Sequence, residues 1–205
     1  MIYGLIGASG TGKTTLAQDV VEALNLNMVI TSITDSARLH GVEAVANLPL
    51  DKRIKLQRHL LDDHAKLLAA VKAPSITDRT PIDMIGYLMC EIGMHSHEQV
   101  SQEMLREANK YVNDCKVLTK ERYDMVFMLS PLLDYEPDPK RPSVNPAYQR
   151  HTDLVMRGAL HEMTEMAFAT IVSQSRTVRF NYVCETIVER LDWHDDFRKK
   201  AKHIN

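Results

Sequence analysis

Cysteine is scarce in this chain. Cys90, Cys115 and Cys184 are odd in number and widely spaced, which excludes a disulfide framework as the organising device and gives the expectation of a reducing, cytoplasmic setting. Long apolar runs are missing too. No stretch approaches the ~20 residues of a membrane span, so no membrane partner is expected. The first strand-like run begins at residue 2, which leaves no room for a signal peptide. Charge of one sign is not in excess: 25 Lys and Arg stand against 27 Asp and Glu, a net charge of −2. No global basic field therefore announces nucleic acid, although a local basic groove stays open. The basic tail from Arg198 to His203 reads more simply as a solvated helix end. Repeats and low-complexity linkers are absent. What remains is ordinary globular composition, 44% hydrophobic and 25% charged over 205 residues, enough for one α/β domain spanning 1–205 with a sizeable core.

Glycine is sparse as well, with eight in all, yet Gly4, Gly7, Gly10 and Gly12 fall within the first twelve residues. Residues 7 to 14 read Gly7-Ala8-Ser9-Gly10-Thr11-Gly12-Lys13-Thr14, the G-x-x-x-x-G-K-[ST] phosphate-binding loop. The glycines let successive backbone N–H groups turn inward as an anion nest. Lys13 brings a positive charge to the β- and γ-phosphates, and the Thr14 hydroxyl completes the coordination of Mg²⁺. Thr15 continues the same turn into a helix whose positive dipole end faces the phosphates. The flanks suit the motif. Ile2-Tyr3-Gly4-Leu5-Ile6 is a buried-strand run, and Leu16, Val20, Val21 and Leu24 follow at helical spacing.

The rest of the chain alternates strand and helix signals. Met28 to Thr31 reads as strand 2 and the polar segment from Ser32 to Asn47 as irregular. Asp51 to Lys72 is an amphipathic helix, and Pro74 to Thr77 is a short strand 3. Thr80-Pro81-Ile82-Asp83 opens a helix with a cap, a proline at the first position and a capping-box carboxylate. Ser96-x-x-Gln99 opens another, reaching about Thr119. Met125 to Leu129 is a buried strand, Ser130 to Val144 a Pro-rich charged loop, and Asn145-Pro146 caps a long helix to about Ser173 that carries Met163 and Met166 as core filler. Val178 to Val183 reads as the last strand, before a C-terminal helix. This order implies a three-layer α/β/α P-loop fold with a mainly five-stranded parallel sheet and a lid over residues 130–150. Ligands of such sheets bind beyond the carboxyl ends of the strands, where the segments after strands 1, 2 and 3 converge.

Asp78-Arg79 directly follows strand 3, which puts a carboxylate and a guanidinium beside the phosphate loop. Phosphoryl transfer needs a carboxylate to position Mg²⁺ or take a proton from the acceptor, and a cation to bind the acceptor or offset charge. A surface ion pair capping the next helix is the plainer alternative, and Asp83 has an obvious structural role as a cap.

With these pieces the chain resembles the P-loop nucleoside and nucleotide kinases, in particular a small AAA-type ATPase/kinase group that includes nicotinamide-riboside kinase domains and many phage-encoded kinases. The likeness rests on the phosphate loop, on Thr31-Ser32 to Gly41, on Asp78 to Tyr87 and on Tyr123 to Pro131 followed by a loop with Arg141. It covers most of residues 1–160. Thymidylate kinases carry a similar Asp-Arg step. The resemblance implies an ATP- and Mg²⁺-dependent transferase. Asp78 would be the catalytic carboxylate and a metal ligand with Thr14, and Arg79 a cation for acceptor or phosphate. Arg38 would face the acceptor with Asp35 and Asp83 as neighbouring candidates, and Lys140, Arg141 and Arg150 would belong to the lid. A solvated loop charge competes with the lid role of Arg141. No hhhhD strand end is present, since Ser130-Pro131 follows Leu129, which argues against a motor-type ATPase.

Other groupings carry less. Cys90, His95 and His97 fit no common zinc spacing. His40 and His64 suggest no partner, and Trp193 reads as a packing anchor. Four readings remain open: a kinase for a free nucleoside or nucleotide; a kinase for a hydroxymethylated base in DNA, with Arg176 and Arg179 contributing to a basic cleft; an ATP-hydrolysing regulatory module; and a nucleotide-binding structural protein. Oligomeric state is unreadable, with a homodimer left open, and the location follows as cytoplasm, or host cytoplasm for a phage-encoded protein.

Overall fold

The computed structural model describes residues 1–43, 48–133 and 145–202, with side chains through 196. Five parallel strands form one sheet: β1 (Ile2–Ile6), β2 (Asn27–Val29), β3 (Ser75–Thr77), β4 (Met125–Leu129) and β5 (Phe168–Ile171), in the spatial order β2-β3-β1-β4-β5. Helices α1 (Lys13–Leu24), α2 (Ile33–Leu39), α3 (Leu50–Ala69), α4 (Pro81–Ile92), α5 (Gln102–Arg122), α6 (Pro146–His161) and α7 (Arg176–Lys202) connect and cover them.

Strand alternation sorts the core onto two faces. Val126 and Met128 join Ile6 on the side of α3 to α6. Met125, Phe127 and Leu129 join Tyr3 and Leu5 on the side of α1 and α7. All five residues of β4 are buried, as a strand covered by helices on both faces requires. The chain leaves β1 with β3 on one flank and β4 on the other. This is the switch point where a cleft opens beyond the carboxyl ends, and the glycine loop occupies it.

Several expectations shift. The segment expected to be irregular from Ser32 to Asn47 contains a helix over Ile33–Leu39: Ser32 accepts the Asp35 N–H at 3.2 Å and caps α2, with Ala37 buried. Its residues 44–47 lie outside the described ones. Strand 2 stops at Val29, leaving Ile30 57% exposed, because the next peptide turns toward Asp78. The helix from Pro146 ends at His161, well short of Ser173, and Glu165 adopts a left-handed φ of 73°. Met163 and Met166 thus fill the core from beyond the helix. The last strand is Phe168–Ile171, and Val178 to Val183 lies inside α7. Phe180, Val183, Cys184, Ile187 and Leu191 pack inward at 3- and 4-residue steps. The β-branched and aromatic residues that imitate a strand there belong to a helical stripe.

Candidate functional site

The loop turns where glycine is needed. Gly10 and Gly12 take φ of 78° and 82°, a region that disfavours other residues. Gly7 is close-packed: a Cβ there would sit 2.9 Å from both the Leu129 carbonyl and the Thr11 hydroxyl. Helix α1 begins at Lys13 with no side-chain cap from Gly12, so its first N–H groups point into the turn as an anion site. Thr11 closes the loop on itself, donating its hydroxyl to the Ala8 carbonyl at 3.0 Å.

Asp78 meets this loop directly. The Thr14 hydroxyl donates to Asp78 Oδ2 at 3.0 Å, and the Thr31 N–H donates to Oδ1 at 3.1 Å. The side chain is 5% exposed. Thr14 and Asp78 together offer hard oxygen donors, the chemistry Mg²⁺ accepts while keeping waters and phosphate oxygens for its other positions. The residues present therefore fit that ion.

Lys13 folds over the loop. Its ammonium donates to the carbonyls of Gly7 and of Ala8, the latter at 3.1 Å, and stands 3.7 Å from Asp83. Asp83 is buried, accepts the Gly7 N–H at 3.2 Å and completes the α4 capping box with the Thr80 N–H at 2.9 Å. Burial pushes its carboxyl upward, and Lys13 and Arg79 pull against that. Placed as an acceptor candidate, Asp83 is instead an internal strut from α4 to the phosphate loop. Arg79 is half-buried and lies close enough to Tyr87, on α4, to act on its phenol. Burial raises the Tyr87 phenol, and Arg79 and the Ser9 backbone lower it. Lys13 and Arg79 are thus two cations acting on the buried Asp83 carboxyl.

Two clamps hold the loop from outside. Arg179, 4% exposed, donates to the carbonyls of Thr11 and Ser130, both at 2.8 Å, and of Ser173. Burial lowers its guanidinium pKa. Gln149 of α6 donates to the Ser9 carbonyl at 2.6 Å. A cavity of about 200 Å³ adjoins the loop, lined by Thr11, Thr15, Leu16, Leu132, Gln174 and Arg176 among others.

Other expected residues lie elsewhere. Arg38 is 58% exposed and pairs with Asp35 at 3.6 Å and Glu43 at 3.4 Å, a surface cluster on α2. Arg150 reaches the buried Asp153 at 3.0 Å. Lys140 and Arg141, with most of the expected lid, fall outside the described residues, as do the side chains of the basic tail. Arg176 is 69% exposed and pairs with Asp19 at 2.7 Å, and the buried Arg179 is engaged with backbone carbonyls. Sequence reasoning missed Gln149, the clamping role of Arg179, and His64, which joins Thr31 at 3.1 Å to Tyr123 at 3.0 Å. Gln149 and Arg179 carry no local signature. His64 on an apolar helix face was the visible oddity.

No described helix is long and apolar enough to cross a membrane. Comparison with known proteins agrees with this architecture. Deoxyadenosine kinase from M. mycoides with bound dCTP superposes with a TM-score of 0.66 at 14% identity, over 92% of this chain and 100% of that one. NadR protein in complex with NR gives 0.66 at 15% identity, over 92% of this chain and half of NadR. YorR protein from Bacillus subtilis, in complex with phosphorylated GDP, gives 0.51 at 12% identity, over 96% and 98%. At these identities the likeness is one of fold. No curated protein matches the sequence. The profile of the AAA domain family matches residues 3–177, a span that runs from β1 through the phosphate loop, the Asp78-Arg79 step and the Gln149 clamp, and the chain belongs to that family.

Proposed function

We propose that the protein is an ATP- and Mg²⁺-dependent phosphotransferase acting on a hydroxyl of a nucleoside or nucleotide. The observation that carries this reading is the 3.0 Å contact between Thr14 and Asp78, which sets a carboxylate beside an intact phosphate loop. The loop amides and Lys13 hold the β- and γ-phosphates. Mg²⁺, held by Thr14 and Asp78, would supply charge neutralisation at the phosphate oxygens. Asp78 orients the acceptor hydroxyl and takes its proton as the oxygen bonds to the γ-phosphorus. The bond from that phosphorus to the β,γ-bridging oxygen breaks, giving ADP and a phosphorylated acceptor. Arg79, beside Tyr87, offsets charge on the transferring group or on an acceptor phosphate. The cavity beside Thr15 and Gln174 suits the adenine.

Positioning and electrostatics would supply most of the acceleration. The neighbours in fold direct the choice of acceptors to try first: deoxynucleosides, nicotinamide riboside and nucleotides. The test follows the label of γ-labelled ATP into this panel, with hydroxymethylated DNA alongside. Transfer to one acceptor class, lost in Lys13→Ala, supports the reading. ATP turnover with every acceptor absent and no phosphorylated product would instead make the protein a hydrolysing module. Nucleotide binding with neither turnover nor transfer would make it a structural one.

A further inference from the structure

His64 has no part in the chemistry just described, yet it is 1% exposed and both ring nitrogens are engaged. Its partners lead to the two sides of the Asp78-Arg79 step. On one side, Nδ1 meets the Thr31 hydroxyl at 3.1 Å, and the Thr31 N–H donates to Asp78 Oδ1. On the other side, Nε2 meets the Tyr123 hydroxyl at 3.0 Å, and that hydroxyl donates to the Arg79 carbonyl at 3.3 Å. Thr77 reinforces the second arm, with its hydroxyl 2.7 Å from the same carbonyl and 3.2 Å from Tyr123.

We infer that His64 is a positioning residue, whose buried imidazole ties Thr31 to Tyr123 and so fixes Asp78 at its distance from Thr14. The inference rests on the phosphotransferase reading above. Three arguments support it. Thr31 lies beyond the end of β2, so no sheet ladder holds it, and its hydroxyl contact with α3 supplies a tether. Helix α3 is a firm base, because Leu60, Leu61 and Leu68 are buried around His64. The protons also close without conflict. Thr31 donates to Nδ1, Nε2–H donates to Tyr123, and Tyr123 and Thr77 donate to the Arg79 carbonyl. That arrangement needs a neutral imidazole, and burial holds the His64 pKa down at about 4. A buried histidine needs only satisfied nitrogens. Here each partner also contacts the one step that carries the candidate catalytic carboxylate. Groups that orient metal ligands from behind typically set the ion's affinity and the activity together.

The experiment measures ATP binding to the full chain by calorimetry, with Mg²⁺ and with EDTA, alongside the Mg²⁺ dependence of transfer. Tyr123→Phe removes one hydroxyl and keeps the ring, and His64→Ala removes the whole link. Each should weaken Mg²⁺-dependent ATP binding by about 10- to 100-fold and raise the Mg²⁺ requirement in step, with metal-free binding changed by no more than about two-fold. The double variant should be no worse than His64→Ala alone, since both cut one chain. If His64→Ala does not fold, Tyr123→Phe decides by itself. Wild-type Mg²⁺ enhancement in Tyr123→Phe, with Thr14→Ala abolishing it, would overturn the positioning role and leave the phosphotransferase reading standing. Equal losses with and without Mg²⁺ would overturn it as well, by showing general damage. A wild-type protein that binds no ATP under either condition would remove the phosphotransferase reading itself, and the positioning role with it.

Discussion

Thr14 and Asp78 are separated by 64 positions and meet at 3.0 Å. Thr14 stands in the first turn of α1, Asp78 one residue past β3, and β1 and β3 pair in parallel from Ile2 with Ser75 to Gly4 with Thr77. In that register β3 ends opposite Gly4, two residues before β1 ends at Ile6, so the segment that leaves β3 runs alongside the end of β1 toward the phosphate loop. The contact is a product of sheet topology, and the same topology brings Thr31 from the end of β2 to the other oxygen of Asp78.

Arg179 sets the stability of the phosphate loop. Replacing it with methionine leaves the carbonyls of Thr11, Ser130 and Ser173 without their common donor. Unpaired buried groups cost about 1–3 kcal/mol each, part of which is returned by not burying a charge, so Arg179→Met should lose roughly 2–4 kcal/mol. Urea denaturation measures the loss. Arg179→Lys should recover little of it, because one ammonium does not reproduce the planar fork.

Gly4 is fixed by close approach. A Cβ there would lie 2.4 Å from Thr80 Cγ2 and 2.9 Å from Tyr123 Cε1. Thr80 caps α4 and Tyr123 supports the Arg79 carbonyl, so Gly4→Ala presses on the site as well as the core. Overpacking predicts a loss of about 1–3 kcal/mol by denaturation. Gly158 is the control, with nothing within 4 Å of an added Cβ; alanine in that helix should stabilise by up to about 1 kcal/mol.

The buried histidine gives stability a pH dependence of known sign. Burial lowers the His64 pKa from 6.5 to about 4. Between those values the unfolded chain binds more protons than the folded one, so stability falls as pH falls from 6.5 toward 4. The contribution is roughly 3 kcal/mol over that window. Urea midpoints of the wild type and His64→Gln across it should converge as the pH drops, because the variant lacks this titration. Parallel curves would contradict the assignment.

The phosphate loop, the capping box at Thr80 and the buried run of β4 were legible because each is written in adjacent residues. The Asp78-Arg79 step was legible as a location, since a strand end sits next to it in sequence. Failures came where local pattern and tertiary packing disagree. Val178 to Val183 has strand-like residues and helical burial. The helix from Pro146 stops at His161, and the left-handed turn that follows at Glu165 is announced by no glycine. Helix α2 was readable from Ser32 and Asp35, a capping pair in a polar stretch. The partners of His64 and Arg179 were out of reach, because they are set by which chain segments the sheet brings together.

The most direct measurement compares the wild type, Lys13→Ala and Asp78→Asn for transfer of label from γ-labelled ATP to an acceptor panel, with ATP binding followed in parallel. The account predicts transfer by the wild type and its loss in Lys13→Ala. Asp78→Asn should still bind ATP, with turnover reduced by about 10²- to 10⁴-fold. Full transfer by Asp78→Asn would contradict the role assigned to that carboxylate, and a wild-type chain that takes up no nucleoside triphosphate would contradict the account as a whole.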